Sequence, residues 1–192
     1  MRSAGACGDR LGGRDWSLTV LRVRSRAVAT KLPSDLQLAP LAPLGKQAVA
    51  RPLEEWLTTF HIAAVVLDPY TNESSWVLKT AVRVLEGFRG SHARVAFIVT
   101  ADAADTRRFL GPLSEQFLSF TDPDRAFVKA AGLSTLPAFV FVRVDGEVAA
   151  TAEGWAPEAW AAVADTIADV TSWRPPMIPL AGDPHAFAGA PA

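Results

Sequence analysis

Sulfur is scarce in this chain: of 192 residues one is cysteine, Cys7, and two are methionine. An intramolecular disulfide is therefore excluded, and a single thiol fits the reducing cytoplasm, the expected location. Histidine is equally sparse. His61, His92 and His185 are scattered, with no Cys/His spacing of the zinc kind, so no metal and no cofactor are expected. No run approaches the ~20 apolar residues of a membrane span. Neither sign of charge dominates: 19 Lys/Arg against 20 Asp/Glu give a net charge of −1. That balance makes no electrostatic case for a nucleic-acid or membrane partner.

What is present is an ordinary globular composition, 49% hydrophobic and 20% charged. A chain of this size buries roughly 70% of its unfolded surface, so a core without staples suffices. The charge is unevenly placed. Residues 1–31 hold seven Lys/Arg and two Asp/Glu, leaving twelve against eighteen for the rest. The basic segment has no continuous apolar core of the signal-peptide kind. It is expected to be a disordered arm, or residues left by an upstream start codon, with "SLTVLRV" as its one candidate strand. Residues 32–52 contain four prolines and read as an extended lead-in. A domain is expected over 53–171, followed by a Pro-rich tail, 172–192.

Within the domain, "LEEWLTTF" (53–60) predicts a short helix and "IAAVVLD" (62–68) a strand buried on both faces. Residues 72–88 predict an amphipathic helix, with Val77, Leu78, Ala81, Leu85 and Phe88 on one stripe and Lys79, Arg83 and Glu86 opposite. Asn72 suits its N-cap, and Glu73 complements the helix dipole. "RVAFIVT" (94–100) is a second buried strand. Asp102 caps a helix closed by Gly111-Pro112, and "QFLSFT" (116–121) is a third strand. In "DPDRAFVKAAG" (122–132), Asp122 suits an N-cap, Pro123 the first helical position and Gly132 a left-handed stop. Asp145-Gly146 between two apolar runs marks a hairpin, and Pro157 opens a last helix to residue 170. The order β-α-β-α-β-α-β-β-α implies an α/β fold, a mixed central sheet flanked by helices on both faces.

"GLSTLPAFVFVRVDGEVAATAEG" (132–154) resembles the second half of a thioredoxin: a helix ending in glycine, a cis-proline (here Pro137), a strand, a tight turn and a second strand. The resemblance extends over roughly 53–170 by element order. In that family a Cys-x-x-Cys opens the helix after the first central strand, with a buried acid six positions earlier. Asp68 matches that acid if Ser74 and Val77 stand at the cysteine positions. The tetrad is then Ser74-Ser75-Trp76-Val77; a slip of one residue makes it Glu73 to Trp76, also without sulfur. Pro69 after the acid departs from the family's strand. "TNES" (71–74) also resembles the Thr-x-x-Cys of peroxiredoxins with serine for cysteine, though the upstream proline is wrongly spaced. Glutathione transferases resemble thioredoxins in their first domain and use serine or tyrosine on a thiol. A counterpart of their helical second domain is not expected in the residues after 170.

Serine neither ionises near neutral pH nor forms a disulfide, so thiol–disulfide exchange at this turn is not expected. The catalytic candidates are Asp68 as a buried base, Glu73 as its carboxylate companion and Ser74 as a nucleophile. Each has a plainer reading: a turn aspartate, a dipole-facing acid and a first-turn serine. Ser74 lacks a histidine, since His61 lies at the far end of the strand, about 20 Å away at ~3.3 Å per residue. The binding candidates are Tyr70, Asn72, Ser74, Ser75 and Trp76 at the turn, with Thr135, Leu136 and Pro137 on the facing segment. The resemblance implies that the backbone before Pro137 pairs with an extended peptide. Trp76 is either a core aromatic or an exposed contact residue. Trp173, Met177, Ile178 and Phe187 are too many large apolar groups for a solvated tail, so part of it is expected to pack near Pro137. The leading expectation is a redox-inactive module binding a protein or extended peptide. The alternatives are an oxidoreductase or glutathione-binding enzyme of unconventional chemistry, and self-association as a homodimer.

Overall fold

The structure, a computed structural model, describes residues 30–43, 45–46 and 48–192. In chain order the elements are β1 (Thr30–Lys31), β2 (Gln37–Pro40), β3 (Arg51–Pro52), α1 (Leu53–Trp56), β4 (His61–Leu67), α2 (Asn72–Glu86), β5 (Ala93–Val99), α3 (Ala103–Leu110), α4 (Leu113–Gln116), β6 (Leu118–Thr121), α5 (Ala126–Ala130), β7 (Thr135–Leu136), β8 (Ala138–Val142), β9 (Glu147–Glu153), α6 (Pro157–Thr171) and β10 (Ala190–Pro191). Eight strands form one sheet in the order β1-β9-β8-β4-β5-β6-β2-β3, and β10 pairs with β7 separately. β4, β5 and β6 are parallel, while β8 runs antiparallel to β4 and β9 to β8. The mixed sheet is the one expected, and the element order from β4 onward matches except for three short additions, α4, β7 and β10, with Gln116 ending α4 instead of opening the third strand.

After His61, β4 is apolar from Ile62 to Leu67, as suits a strand buried on both faces. Ala63, Val65 and Leu67 face one cluster with Val77, Ala81, Val84 and Leu85 of α2 and Trp160, Val163 and Ile167 of α6. Ile62, Ala64 and Val66 face the other, with Leu53 and Leu57 near α1 and Phe127 and Val128 of α5. The stripe expected on α2 is thus the buried one, with Leu78 at its margin.

Several local expectations are corrected. Thr30–Lys31, assigned to the arm, pair with Val148 and Glu147 as β1, because β9 would otherwise leave an open sheet edge. The "SLTVLRV" strand lies outside the described residues. The lead-in supplies β2 and β3 to the opposite edge through pairing with β6. The N-cap of α2 is Thr71, not Asn72: the Thr71 amide donates to the Asp68 carbonyl, and the turn closes one residue early.

Pro123 does not start α5. Arg125 takes a left-handed conformation (φ 55°, ψ 35°), so the helix begins at Ala126. Asp122 nevertheless serves the helix end from outside it. One carboxylate oxygen accepts from the Ala126 amide and the other from the Phe127 and Val128 amides. Asp122→Ala orphans three amides around a residue only 6% exposed and should cost about 2 kcal/mol by urea denaturation. A loss below about 0.5 kcal/mol would mean water replaces the carboxylate.

Candidate functional site

The C-terminal end of β4 and the start of α2 form a turn tied by its own hydroxyls. The Ser74 hydroxyl oxygen accepts from the Asp68 amide at 2.9 Å, and Thr71 Oγ1 lies 3.2 Å from it. Thr71 Oγ1 also donates to the Asp68 carbonyl. Ser74 is fully buried, so it pins the strand end to the first turn of the helix and offers no accessible nucleophile. Val77, the other candidate cysteine position, is fully buried in the core.

Asp68 is 3% exposed, and both its oxygens are engaged. One accepts from the Tyr70 amide at 2.9 Å, the other from Arg125 Nη2 at 2.7 Å. The left-handed turn of Arg125 thus ends in an ion pair with the acid at the strand end. Arg125 carried no functional signal in the sequence, since its stretch reads only as a helix start. Tyr70 is 68% exposed, and its hydroxyl donates to Asp105 at 2.5 Å. That hydrogen bond, foremost, pushes the phenol up from its ordinary value. Asn72 and Ser75 are exposed, and Glu73 is half-buried in the first turn. Trp76 is 56% exposed and belongs to the surface rather than the core.

The second group of candidates sits at the same end of the sheet, because Ala138 pairs with Val66 near the end of β4. The Leu136-Pro137 peptide is cis. Glu153 accepts from the Ser134 and Thr135 amides at 2.8 and 2.6 Å and from the Ser134 hydroxyl, which fixes this segment to the end of β9. β7 then receives the tail: Ala190 pairs with Leu136, Pro191 with Thr135, and the Ala192 amide donates to the Ser134 carbonyl. Phe187 packs edge-on against Trp76, with ring centroids 5.7 Å apart and planes at 79°. The tail therefore joins the two candidate groups, one through a side chain and one through backbone.

The rest of the tail is latched to α2. Asp183 accepts from Arg83 at 2.6 Å, Thr80 at 2.8 Å and the Leu180 amide at 2.7 Å. Burial raises its carboxyl, but the Leu180 amide, Arg83 and Thr80 outweigh that, and the balance lies below the ordinary 3.8. A lowered carboxyl contributes in full above its unfolded value and is lost as pH falls through the folded one. The Leu180 amide resonance should therefore hold steady from neutral pH down towards 3.8 and shift below it. Asp183→Asn should abolish that titration; a shift near pH 6 would refute the assignment.

No histidine serves Ser74. His61 opens β4 at the opposite end, where its Nδ1 accepts from the Val144 amide, and burial followed by Arg143 lowers its imidazolium. His92 stacks on Phe60 beside it. His185 is exposed on the tail. Among the described residues no three His, Cys, Asp or Glu come together as a metal site, and no helix is long and apolar enough to cross a membrane.

The fold is shared with solved structures at low sequence identity. A putative thioredoxin from Neisseria meningitidis superposes with a TM-score of 0.53 at 15% identity, covering 72% of this chain and 90% of its own. A putative thiol:disulfide interchange protein DsbE from Chlorobium tepidum gives 0.53 at 15%, covering 74% and 96%. A cysteine-to-serine mutant of peroxiredoxin Q from Xanthomonas campestris gives 0.55 at 13%, covering 74% and 95%. No family model matches the sequence, and no curated protein matches it. The chain has a thioredoxin-like fold.

Proposed function

On this thioredoxin-like fold, we propose a module without thiol chemistry of its own that holds an extended polypeptide segment on the edge before Pro137, with Trp76 as its side-chain contact. One observation carries the reading: the edge Thr135–Leu136 holds an antiparallel strand, while the adjoining turn has a buried serine where the resemblance places sulfur. Strand addition needs only backbone groups and a pocket for alternate side chains. Disulfide exchange needs a thiolate, which serine does not supply. A reducing cytoplasm suits such a module, and its partner is a protein or extended peptide.

A second reading is favoured by the fold neighbours, among them structures titled as thiol:disulfide interchange and peroxiredoxin proteins. In it the chain is an oxidoreductase-type enzyme that works with a partner's thiol. Reductase and peroxidase assays on the wild-type chain and on Cys7→Ser separate the two. The binding reading expects zero in both, together with a co-purifying protein that is lost on Trp76→Ala. Activity that survives Cys7→Ser would overturn it. A sedimentation coefficient rising with concentration would instead support self-association.

A further inference from the structure

The groove that holds the tail has a feature that ordinary packing does not require: two backbones meet where side chains would stand. A Cβ on Gly154, at the end of β9, would lie 2.5 Å from the Ala188 carbonyl oxygen and 2.7 Å from that of Phe187. A Cβ on Gly189 would lie 2.6 Å from the Leu136 carbonyl oxygen and 3.1 Å from the Gly154 Cα. Both glycines have positive φ, 68° and 86°, which other residues adopt at a cost. The groove floor is therefore bare backbone at Gly154, and its occupant must present glycine at one position.

Other positions of the occupant are read with different stringency. Trp155 exchanges both backbone hydrogen bonds with Phe187 at 2.9 Å, and its indole donates to the Pro184 carbonyl at 2.9 Å. The Phe187 ring abuts Trp76 and packs on the core beneath. Ala188 is exposed and unconstrained in size. Ala190 and Pro191 lie along β7, where proline is tolerated because this strand is an outer edge. The pattern is aromatic, any residue, glycine, small residue, proline.

The hold is local. From Pro184 onward none of the tail residues is fully buried, and the hold consists of a few backbone bonds, the Trp155 indole bond to Pro184 and the partly buried Phe187 ring. Segments held in this way open without global unfolding. A tethered segment meets its site at an effective concentration of about millimolar. If the isolated segment binds at about 0.1 mM, the tether weakens any competitor roughly tenfold.

We propose that residues 184–192 are a self-ligand of the groove, and that a partner polypeptide of the same aromatic-x-Gly-small-Pro pattern enters by displacing it. This rests on the strand-holding reading above and adds to it the partner's pattern and the competition.

The test uses the full chain and a labelled synthetic decapeptide, Asp-Pro-His-Ala-Phe-Ala-Gly-Ala-Pro-Ala. Gly189→Val in the full chain should expel the tail, since its side chain meets the Leu136 carbonyl, and should leave the domain intact. Hydrogen exchange should then accelerate at the Trp155 and Phe187 amides while β4 and β5 stay protected. The peptide should bind this variant at least tenfold more tightly than wild type, and a peptide with Phe replaced by Ala should bind neither. Phe187→Ala, which removes only the tail's anchor, is the second variant and should rank between them. Equal affinity for variant and wild type, binding to neither, or unchanged exchange in Gly189→Val would overturn the proposal. Those failures leave a Trp76-dependent partner untouched. Conversely, reductase activity in Cys7→Ser would sink the module reading without altering the peptide's ranking.

Discussion

Trp155→Ala is expected to cost about 3–5 kcal/mol, the range for truncating a large buried aromatic. The ring is fully buried, sits 5.0 Å from Trp160 at a 76° interplanar angle and belongs to the cluster against α2 and α6. Its removal leaves a cavity that neighbouring helices fill only in part. For a domain of this size the melting temperature should fall by roughly 10 °C. The same residue holds the tail through its indole and its backbone, so exchange protection over 184–192 should vanish first. Trp155→Phe separates the two effects. It keeps most of the packing, loses the bond to Pro184 and should cost about 1 kcal/mol for that bond. Urea denaturation with hydrogen exchange checks both variants. A loss under about 1 kcal/mol for Trp155→Ala would show that the tail and α6 close over the gap.

Arg125→Ala is expected to have the second largest effect. It leaves the Asp68 carboxylate 3% exposed, with the Tyr70 amide as its one remaining donor among the described residues. Breaking a fully buried ion pair from one side costs about 3–5 kcal/mol, and the partial exposure of the arginine reduces this to about 2–3 kcal/mol. Arg125→Gly removes the same charge but suits the left-handed backbone, so it should be about 1 kcal/mol less damaging. In an Asp68→Asn background the penalty for Arg125→Ala should shrink by about 1–2 kcal/mol, because no buried charge is left behind. A double-mutant cycle by urea denaturation measures that difference. Additive costs would mean that Arg125 acts through the turn geometry alone.

The central elements were legible because their signals are local. The run Ile62 to Leu67 is apolar on both faces, the α2 stripe has helical period, and Asp145-Gly146 sits between two apolar runs. Asp102 was legible as a cap for the same reason: its carboxylate accepts from the Ala104 and Asp105 amides, two and three residues on. β1, β2 and β3 were not legible as strands, since two to four residues hold no periodicity, β1 and β2 pair with distant β9 and β6, and β3 pairs with β2. Asp122 was found as a helix-end acid, but the delayed start of α5 was not, because the left-handed Arg125 is held by a partner 57 residues away.

The candidate site divides in the same way. That the turn before α2 carries serine and valine where the resemblance places sulfur, and that no histidine lies near in sequence, follows from residue identity alone, and residue identity decides whether a thiolate can exist. That Ser74 is a buried pin, that Asp68 is an ion-paired turn acid and that Trp76 faces outward required the packing. Above all, the segment on the edge before Pro137 turned out to be the chain's own residues 190–191. Composition indicated that part of the tail would pack. Its path depends on contacts such as Thr80 with Asp183, 103 positions apart, and Gly154 against Ala188, which exist only once the sheet has brought those backbones together.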